Sequence, residues 1–499
     1  MTSTPTLANP AVSRRLSSQD ASFLYNESMN GPMHIGSLSI FEGEMAYETV
    51  VKQIEGRLHL VPRYRQKLNF VPFNLGHPTW EDDAGFKIET HIKHHKLPPG
   101  ATLDSATKAA VRLHEPPLDR SRPLWEMHVF TGVPDHTVML WKIHHCLVDG
   151  VSGIELTNVI LDFRAAPDPT PVGPAWAASA APSPGDAIRD ALQDAAREQM
   201  ERAERARSLA ANLQEQSQRS ALLGATTTSL GQFMTQPVVA TPWSAGLVTQ
   251  RRSLAWARFP FGEVREIRGA LGGTVNDVVL TILSEAAGRY LKEKGIAVDG
   301  RVMRLGCPVS VRREDQGGAL GNRVSMMFPT LPAQPMDAAA RLTAVSVETG
   351  RIKGAREPQG LEILTEMGDS VPPSVVAASS QFTMGAMDLA AAWGANAPVA
   401  PTGFMSPQGY GINFVATNVP ASQVPQYLAG HQMLDMVGLM PLGGTLGYGV
   451  AIGSYNQSLY IAMMAEPRLM PDVDHMRDLA EEVFGELRDA ATTRAAAAS

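Results

Sequence analysis

The chain has 499 residues, 44% of them hydrophobic, and a net charge of −7. That length exceeds one ordinary domain and suits two halves of similar size, and the composition is that of a globular protein. The acidic balance leaves no electrostatic footprint for nucleic acid. Two cysteines, Cys146 and Cys307, exclude a disulfide scaffold and fit a reducing, cytoplasmic compartment.

Residues 1–15 are polar and proline-containing, without the apolar core of a signal peptide, and read as a loose arm. Ordered structure is expected from Asp20-Ala21-Ser22-Phe23-Leu24. Thr49 to Leu58 reads as a helix that ends near Val61-Pro62, and Trp80 to His91 reads as a strand. His94-His95, between Lys93 and Lys96 and before Pro98-Pro99-Gly100, reads as a solvated surface turn. Ala106 to His114 suggests a helix. Pro123–Gly132 and His136–Ile143 form a hairpin pattern around the turn residues Gly132-Val133-Pro134-Asp135.

The second of these strands, Val138 to Ile143, runs into His144-His145. Asp149 and Gly150 follow. Ser152 and Glu155 then have capping-box spacing, and Leu156, Ile160 and Phe163 recur at helical spacing. The order is buried strand, short polar turn, helix. Imidazoles at a strand end stand on a rigid element and can face a cleft.

From Ala165 to Asp186 the composition shifts to alanine and proline, a linker. Ala187 to Ser220 follows as one long charged, alanine-rich helix with a thin apolar stripe. Its mixed charges favour packing on the globule over lying on a membrane, where a basic polar face is usual. A second half starts near Arg251. Thr274 and Asp277 flank a helix start, Val278, Val279, Ile282, Leu283 and Ala286 fill one face, and Gly295 lies where a C-cap belongs. Val302–Val311 reads as a strand ending in Arg312-Arg313. From Leu389 to Ala465 the only charged residue is Asp435. Glycine and proline interrupt that stretch throughout, so it reads as buried strands and loops and not as a membrane span. Asp474–Ala490 is a terminal helix.

His144-His145 to Asp149-Gly150 is an HHxxxDG pattern. It resembles the active-site signature of the CoA-dependent acyltransferase superfamily, which includes chloramphenicol acetyltransferase and peptide-synthetase condensation domains. The flanking stretches look most like the bacterial wax ester synthase/acyl-CoA:diacylglycerol acyltransferases. These are Leu16-Ser17-Ser18-Gln19-Asp20-Ala21-Ser22-Phe23-Leu24, Pro32-Met33-His34-Ile35-Gly36, Arg122-Pro123-Leu124-Trp125-Glu126, Asn276-Asp277-Val278, Pro308-Val309-Ser310-Val311-Arg312 and Thr417-Asn418-Val419-Pro420. The resemblance covers nearly the whole chain. It implies an α/β fold of two chloramphenicol-acetyltransferase-like mixed-sheet domains with the active-site channel between them. The expected division is 1–164, carrying HHxxxDG, then a linker and long helix at 165–250, then 251–499.

Ester formation from a thioester needs a base for the alcohol, support for the carbonyl oxygen and a proton for the leaving thiolate. One neutral imidazole serves the first and third, its unperturbed pKa being roughly 6.5. The resemblance gives that task to His145. His144 faces the other way if the strand is still extended, because side chains alternate, and is assigned packing or hydrogen bonding. By the same resemblance Asp149 points away from substrate and pairs with an arginine, with Arg312 the candidate partner. Gly150 permits a close backbone approach. Asn276, at a helix N-terminus, is a candidate oxyanion donor beside a reading in which Asn276-Asp277 only cap and pack that helix. Trp125 is a candidate for the acyl-binding wall or for the core. No GxSxG elbow, HExxH or Walker loop is present, and His145 with Asp149 lacks a third zinc ligand.

The expected reaction moves a fatty acyl group from acyl-CoA, a co-substrate and not a bound cofactor, to diacylglycerol or a long-chain alcohol. Peripheral attachment to membranes or lipid droplets is expected with it. Two alternatives stand beside this reading: a condensing enzyme fed by an acyl carrier protein, and a non-catalytic lipid-binding member of the fold.

Overall fold

The computed structural model describes residues 14–148, 157–167, 170–235, 237–310, 324–368, 371–392 and 411–498. In chain order its strands are β1 (His34–Glu42), β2 (Gln66–Asn69), β3 (Thr79–Asp82), β4 (Ile92–Lys96), β5 (Trp125–Val133), β6 (His136–His144), β7 (Ser253–Pro260) and β8 (Val302–Ser310). There follow β9 (Val324–Met327), β10 (Thr330–Pro332), β11 (Phe414–Pro420), β12 (Tyr427–Leu428), β13 (His431–Leu439), β14 (Tyr448–Tyr455) and β15 (Ser458–Ala465).

Two mixed sheets carry the molecule. The first has the order β12-β13-β1-β6-β5-β4. The second runs β10-β8-β11-β14-β15-β7, with β9 also on β8. The pairs β4·β5, β8·β11 and β11·β14 are parallel and the rest antiparallel. The expected two mixed-sheet lobes are therefore present. Membership of the sheets does not follow chain order, however. β13, from the second half, lies antiparallel on β1 with Gly36 opposite Leu439, so the lobes are interleaved through the backbone ladder. Asp435 on β13 ties the crossing down, accepting from Arg258 Nη1 at 2.9 Å and from the Tyr460 hydroxyl at 2.7 Å.

Strand periodicity explains how one sheet serves both sides. Tyr460, Ala462 and Met464 of β15 join the apolar cluster of the first lobe, while Ile461, Met463 and Ala465 join the cluster beneath the second. The helix Val275–Glu293 is buried nearly all round, from Asp277 through Gly288. One apolar face was expected there; a helix sandwiched between a sheet and other helices is apolar on every side. Gly295, at φ +73, ends it in the left-handed region.

Three local expectations change. The expected strand 80–91 ends at Asp82, in β3 (Thr79–Asp82), because the Asp83 side chain accepts the Gly85 N–H at 3.1 Å and turns the chain. His94-His95 lies in edge strand β4 and not in a turn, with Tyr47 stacked on His94 at 4.9 Å and His95 Nε2 3.0 Å from His128 Nδ1. The long helix is two, Pro184–Ala211 and Leu213–Thr235, broken at Asn212, whose side-chain oxygen caps the Glu215 N–H at 3.1 Å.

Beneath the second sheet a fully buried ion pair fixes three elements. Glu285 accepts from Arg341 Nε at 2.9 Å, from Arg289 Nε at 3.0 Å and from the Met336 N–H, and both Glu285 and Arg341 side chains have no exposure. Replacing Glu285 by Ala leaves the Arg341 guanidinium buried without its counter-charge. The expected loss is about 3–5 kcal/mol, read as a lowered denaturation midpoint in urea. A midpoint unchanged from the parent would refute the structural weight given to this pair.

Candidate active site

The end of β6 is clamped from both neighbouring segments. The His144 N–H donates to the Leu124 carbonyl at 3.0 Å and the His145 N–H to the Met33 carbonyl at 2.9 Å. The chain then turns, with the Leu147 N–H on the His144 carbonyl. The two imidazoles meet different environments: His144 is completely buried, whereas His145 is only partly so. That division agrees with the alternation expected of a strand end.

His144 is a fixed structural ring. Its Nδ1 accepts the Cys146 N–H at 3.1 Å, which leaves its proton on Nε2, 3.2 Å from Glu27 Oε2. Glu27 is the centre of this arrangement. It also accepts from the Met33 N–H at 2.9 Å and from Arg120 Nε and Nη2 at 3.1 and 2.9 Å. Burial alone would raise its carboxyl, but His144, Arg120 and the Met33 amide outweigh that and hold it at about 2. A permanent carboxylate therefore sits behind the histidine pair.

His145 carries a second ring against it. Phe23, from the helix Ser18–Tyr25, stacks on the imidazole with centroids 3.9 Å apart and planes within 6°. Ser17 caps that helix by accepting the Asp20 N–H at 3.0 Å. His145 Nδ1 is turned away from solvent. On the side of the first sheet opposite His144, Ile35, Ser37 and Ile143 stay partly exposed although β1 and β6 are interior strands. Gly438, opposite Ser37, comes against Ala451 of the second sheet. These partly exposed residues thus belong to the side of the first sheet that meets the second.

The neighbouring Cys146 is no nucleophile. It is 3% exposed, and burial first, then the Asp20 and Glu27 charges, push its thiol well above the ordinary range. Behind the histidines lies a further buried polar set. His34 Nε2 is 2.6 Å from the His114 carbonyl, the two rings meet edge to face at 4.4 Å, and Lys142 Nζ donates to the Leu113 and Pro116 carbonyls at 3.1 and 2.5 Å. Burial pulls Lys142 down to about 8 and takes His34 and His114 well below their usual value. Gly36, opposite Lys142, leaves the space that the His114 ring fills; a Cβ there would collide with it and with the Trp141 carbonyl.

The other sequence candidates fall out as follows. Trp125 is core: it is 1% exposed, its indole N–H donates to the Tyr64 carbonyl at 2.8 Å, and Tyr64 and His91 stack on it at 4.7 and 4.5 Å. Its one donor is thus taken by the main chain, and both stacked rings belong to the first lobe. Asn276, in the first turn of Val275–Glu293, accepts from Asn418 Nδ2 at 3.4 Å, which joins two distant sequence motifs. Its neighbour Asp277 closes a capping box with Thr274 and accepts from the Thr349 hydroxyl at 2.7 Å. Asp149, Gly150 and Arg312 lie outside the described residues. Sequence reading gave no role to Glu27, Arg120 or Phe23. Phe23 stood within a family-like stretch, while Glu27 and Arg120, 93 positions apart, carry no spacing signal.

Two interleaved mixed sheets, with a partly exposed histidine at the end of a strand of the first, make up a fold of the chloramphenicol-acetyltransferase type. The wax ester synthase/diacylglycerol acyltransferase catalytic-domain model matches residues 16–279, and the C-terminal domain model of the same family matches 320–488. The chain belongs to the wax ester synthase/diacylglycerol acyltransferase family. It is 28% identical over 493 residues to a putative diacylglycerol O-acyltransferase of Mycobacterium tuberculosis, covering 96% of this chain and 90% of that one. A probable diacylglycerol O-acyltransferase of the same organism is 26% identical, covering 95% of each chain. Among solved structures, a wax ester synthase/diacylglycerol acyltransferase from Marinobacter aquaeolei shares the fold, with a TM-score of 0.61 at 20% identity over 96% of this chain and 100% of that one. So does the first condensation domain of the calcium-dependent antibiotic synthetase, with a TM-score of 0.58 at 14% identity over 97% of each.

The buried histidines give the lobe a pH dependence of known sign. Below about pH 6.5 the unfolded chain takes up protons at His34 and His114 that the folded chain refuses, so the unfolded state binds more protons and stability is lost as the pH is lowered. The melting temperature is expected to drop from about pH 7.5 to about pH 5.5, and His114→Gln to flatten that slope. A slope unaffected by the substitution would mean that these rings do not set it.

Proposed function

We propose that this chain transfers a fatty acyl group from acyl-CoA to the hydroxyl of diacylglycerol or of a long-chain alcohol, with His145 as general base. The observation that carries the reading is the asymmetry of the pair: His144 is locked between Cys146 and Glu27, while His145 is partly open to the face between the sheets. In the step itself, His145 Nε2 takes the hydroxyl proton as the alcohol oxygen attacks the thioester carbonyl. The tetrahedral adduct collapses with cleavage of the C–S bond. The proton returns from the imidazole to the departing sulfur, giving ester and free CoA. A covalent acyl-enzyme is not needed when both substrates bind together, and the buried, protonated Cys146 favours direct transfer.

In this reading Asp149 pairs with an arginine, Arg312 being our candidate, and holds the loop after the histidines. Gly150 gives the backbone room beside substrate. Asn276 sits at a helix N-terminus, where donors for a developing oxyanion are available. The enzyme meets its substrates in the cytoplasm, lying on membranes or lipid droplets. The apolar acyl chain of the donor and the lipid acceptor support that placement; separately, no helix among the described residues is long and apolar enough to cross a membrane.

His145→Ala is expected to lower ester formation roughly 10²–10⁴-fold while moving the melting temperature by no more than about 2 °C. The assay uses purified protein, labelled palmitoyl-CoA and a panel of diacylglycerol and alcohol acceptors, with products separated by chromatography. Near-normal turnover of the variant would return the chain to a binding or scaffolding role. Transfer from an acyl carrier protein but not from acyl-CoA would identify the donor as the carrier.

A further inference from the structure

The helix Pro373–Ala392 packs against the helix Ser18–Tyr25 and the turn Pro72–Asn74. It buries little of itself: Ala377 is fully buried and Val376 rests on the first apolar cluster. Val375, Phe382 and Leu389, which recur every seventh residue and so share one side, are 54%, 81% and 59% exposed. Water gains nothing from this face, and a stripe of large exposed apolar side chains marks a surface that something covers.

The helix carries one charge, Asp388, and spends it inward. Its carboxylate accepts from the Ser28 hydroxyl at 2.9 Å, from the Met29 N–H at 3.0 Å, and from the Asn30 N–H and side-chain amide at 3.3 and 3.0 Å. No other Asp, Glu, Lys or Arg occurs from Val371 to Leu434. The loop that Asp388 holds presents Met29, itself 59% exposed. The turn beside the helix presents Phe73, 84% exposed and held at φ +60. A bulky residue in that backbone region is an outlier that neighbouring structure must enforce, so the ring is displayed against local preference.

Charge decides the occupant. An anionic headgroup layer is met by lysine and arginine, and protein interfaces surround an apolar centre with a polar rim that often holds arginine. This helix has no lysine or arginine, and its exposed polar residues, Ser379 and Gln381, are uncharged. An electrically neutral lipid layer is the partner that an uncharged, aromatic-bearing face complements. Position agrees with charge: the helix on which this face is built packs on the same short helix that lays Phe23 over His145. We propose that Met29, Phe73, Val375, Phe382 and Leu389 form the face by which the protein lies on a lipid membrane, through neutral lipid and not through anionic headgroups. The proposal rests on the reading of the acceptor as a lipid hydroxyl, which it places one helix away from the reacting imidazole.

The test floats the full-length protein with phosphatidylcholine vesicles that contain diacylglycerol. The parent chain is expected to float equally at low and high salt. Phe73→Asp/Phe382→Asp is expected to lose at least about tenfold of the vesicle-bound fraction. Met200→Asp, on the mixed-charge helix Pro184–Ala211 and 68% exposed, is expected to float as the parent does. With a short acyl-CoA and a water-soluble alcohol, and no vesicles, the double variant is expected to match the parent, while its transfer to vesicle-borne diacylglycerol falls. Unchanged flotation of the double variant overturns the proposal, as does equal loss in Met200→Asp or flotation that salt abolishes. A change of oligomeric state confined to the double variant overturns it too, because the face would then cover a second copy. A parent chain that floats through this face but acylates neither acceptor supports the face and refutes the proposed reaction.

Discussion

The Glu27 carboxylate is the contact on which the geometry around the histidines depends. It bonds at once to the Met33 N–H before β1 and to Arg120 before β5, and it lies 3.2 Å from His144 Nε2 at the end of β6. Remove it and three segments lose their common anchor, with a guanidinium and a buried ring left facing each other. Burying a carboxylate is costly unless cations and donors surround it. Here they do so well enough that the group stays charged down to about pH 2. The consequence reaches the neighbouring residue. The Met33 amide is held by Glu27 while the Met33 carbonyl accepts the His145 N–H, so the backbone under His145 is placed by a charge that never touches its ring.

The second constraint is the crossing of β13 into the first sheet. A channel between two lobes is only as well defined as the junction between them, and domain contacts made by side chains alone permit relative motion. Here six residue pairs of main-chain ladder connect β1 with β13, and Asp435 adds side-chain bonds to β7 and β15. The lobes also share one apolar cluster, since alternate residues of β7, β14 and β15 face the first lobe. Any opening of the cleft therefore has to occur at its rim, in loops and surface helices, while the strands that carry His145 stay in register.

Much of this was legible in the chain. The β5–β6 hairpin showed through the apolar run Val138–Ile143 and the turn residues Gly132-Val133-Pro134-Asp135, and the opposite facing of successive strand residues separated His144 from His145. Thr274 and Asp277 announced a capped helix because their chemistry is local. What stayed hidden is non-local. Glu27 and Arg120 find each other only in the folded state, and nothing in the spacing of Glu27 from His144 sets it apart from a surface carboxylate. The apolar stretch after Leu389 declared itself buried, yet its pattern does not say that β13 leaves its neighbours for the other sheet. His94-His95 misled for a related reason: an edge strand of alternating exposure with flanking lysines has the composition of a turn.

Placing charge in one part of the molecule and withholding it from another bears on the chemistry. From Leu389 to Ala465 the only formal charge is Asp435, already engaged by Arg258 and Tyr460. Surfaces from this stretch face the first lobe across Ala451, Tyr460, Ala462 and Met464. In such surroundings a free thiolate is poorly solvated, and so is an alkoxide. Both are avoided if the proton moves with the bond, from hydroxyl to imidazole as the first bond forms and from imidazole to sulfur as the second breaks. That requires a base which is neutral at rest and only transiently cationic. In the proposed reaction that base is the imidazole stacked on Phe23, with the Glu27 carboxylate behind it engaged by Arg120. For the proposed reaction, surroundings so poor in charge favour an imidazole that takes and returns one proton over a charged nucleophile.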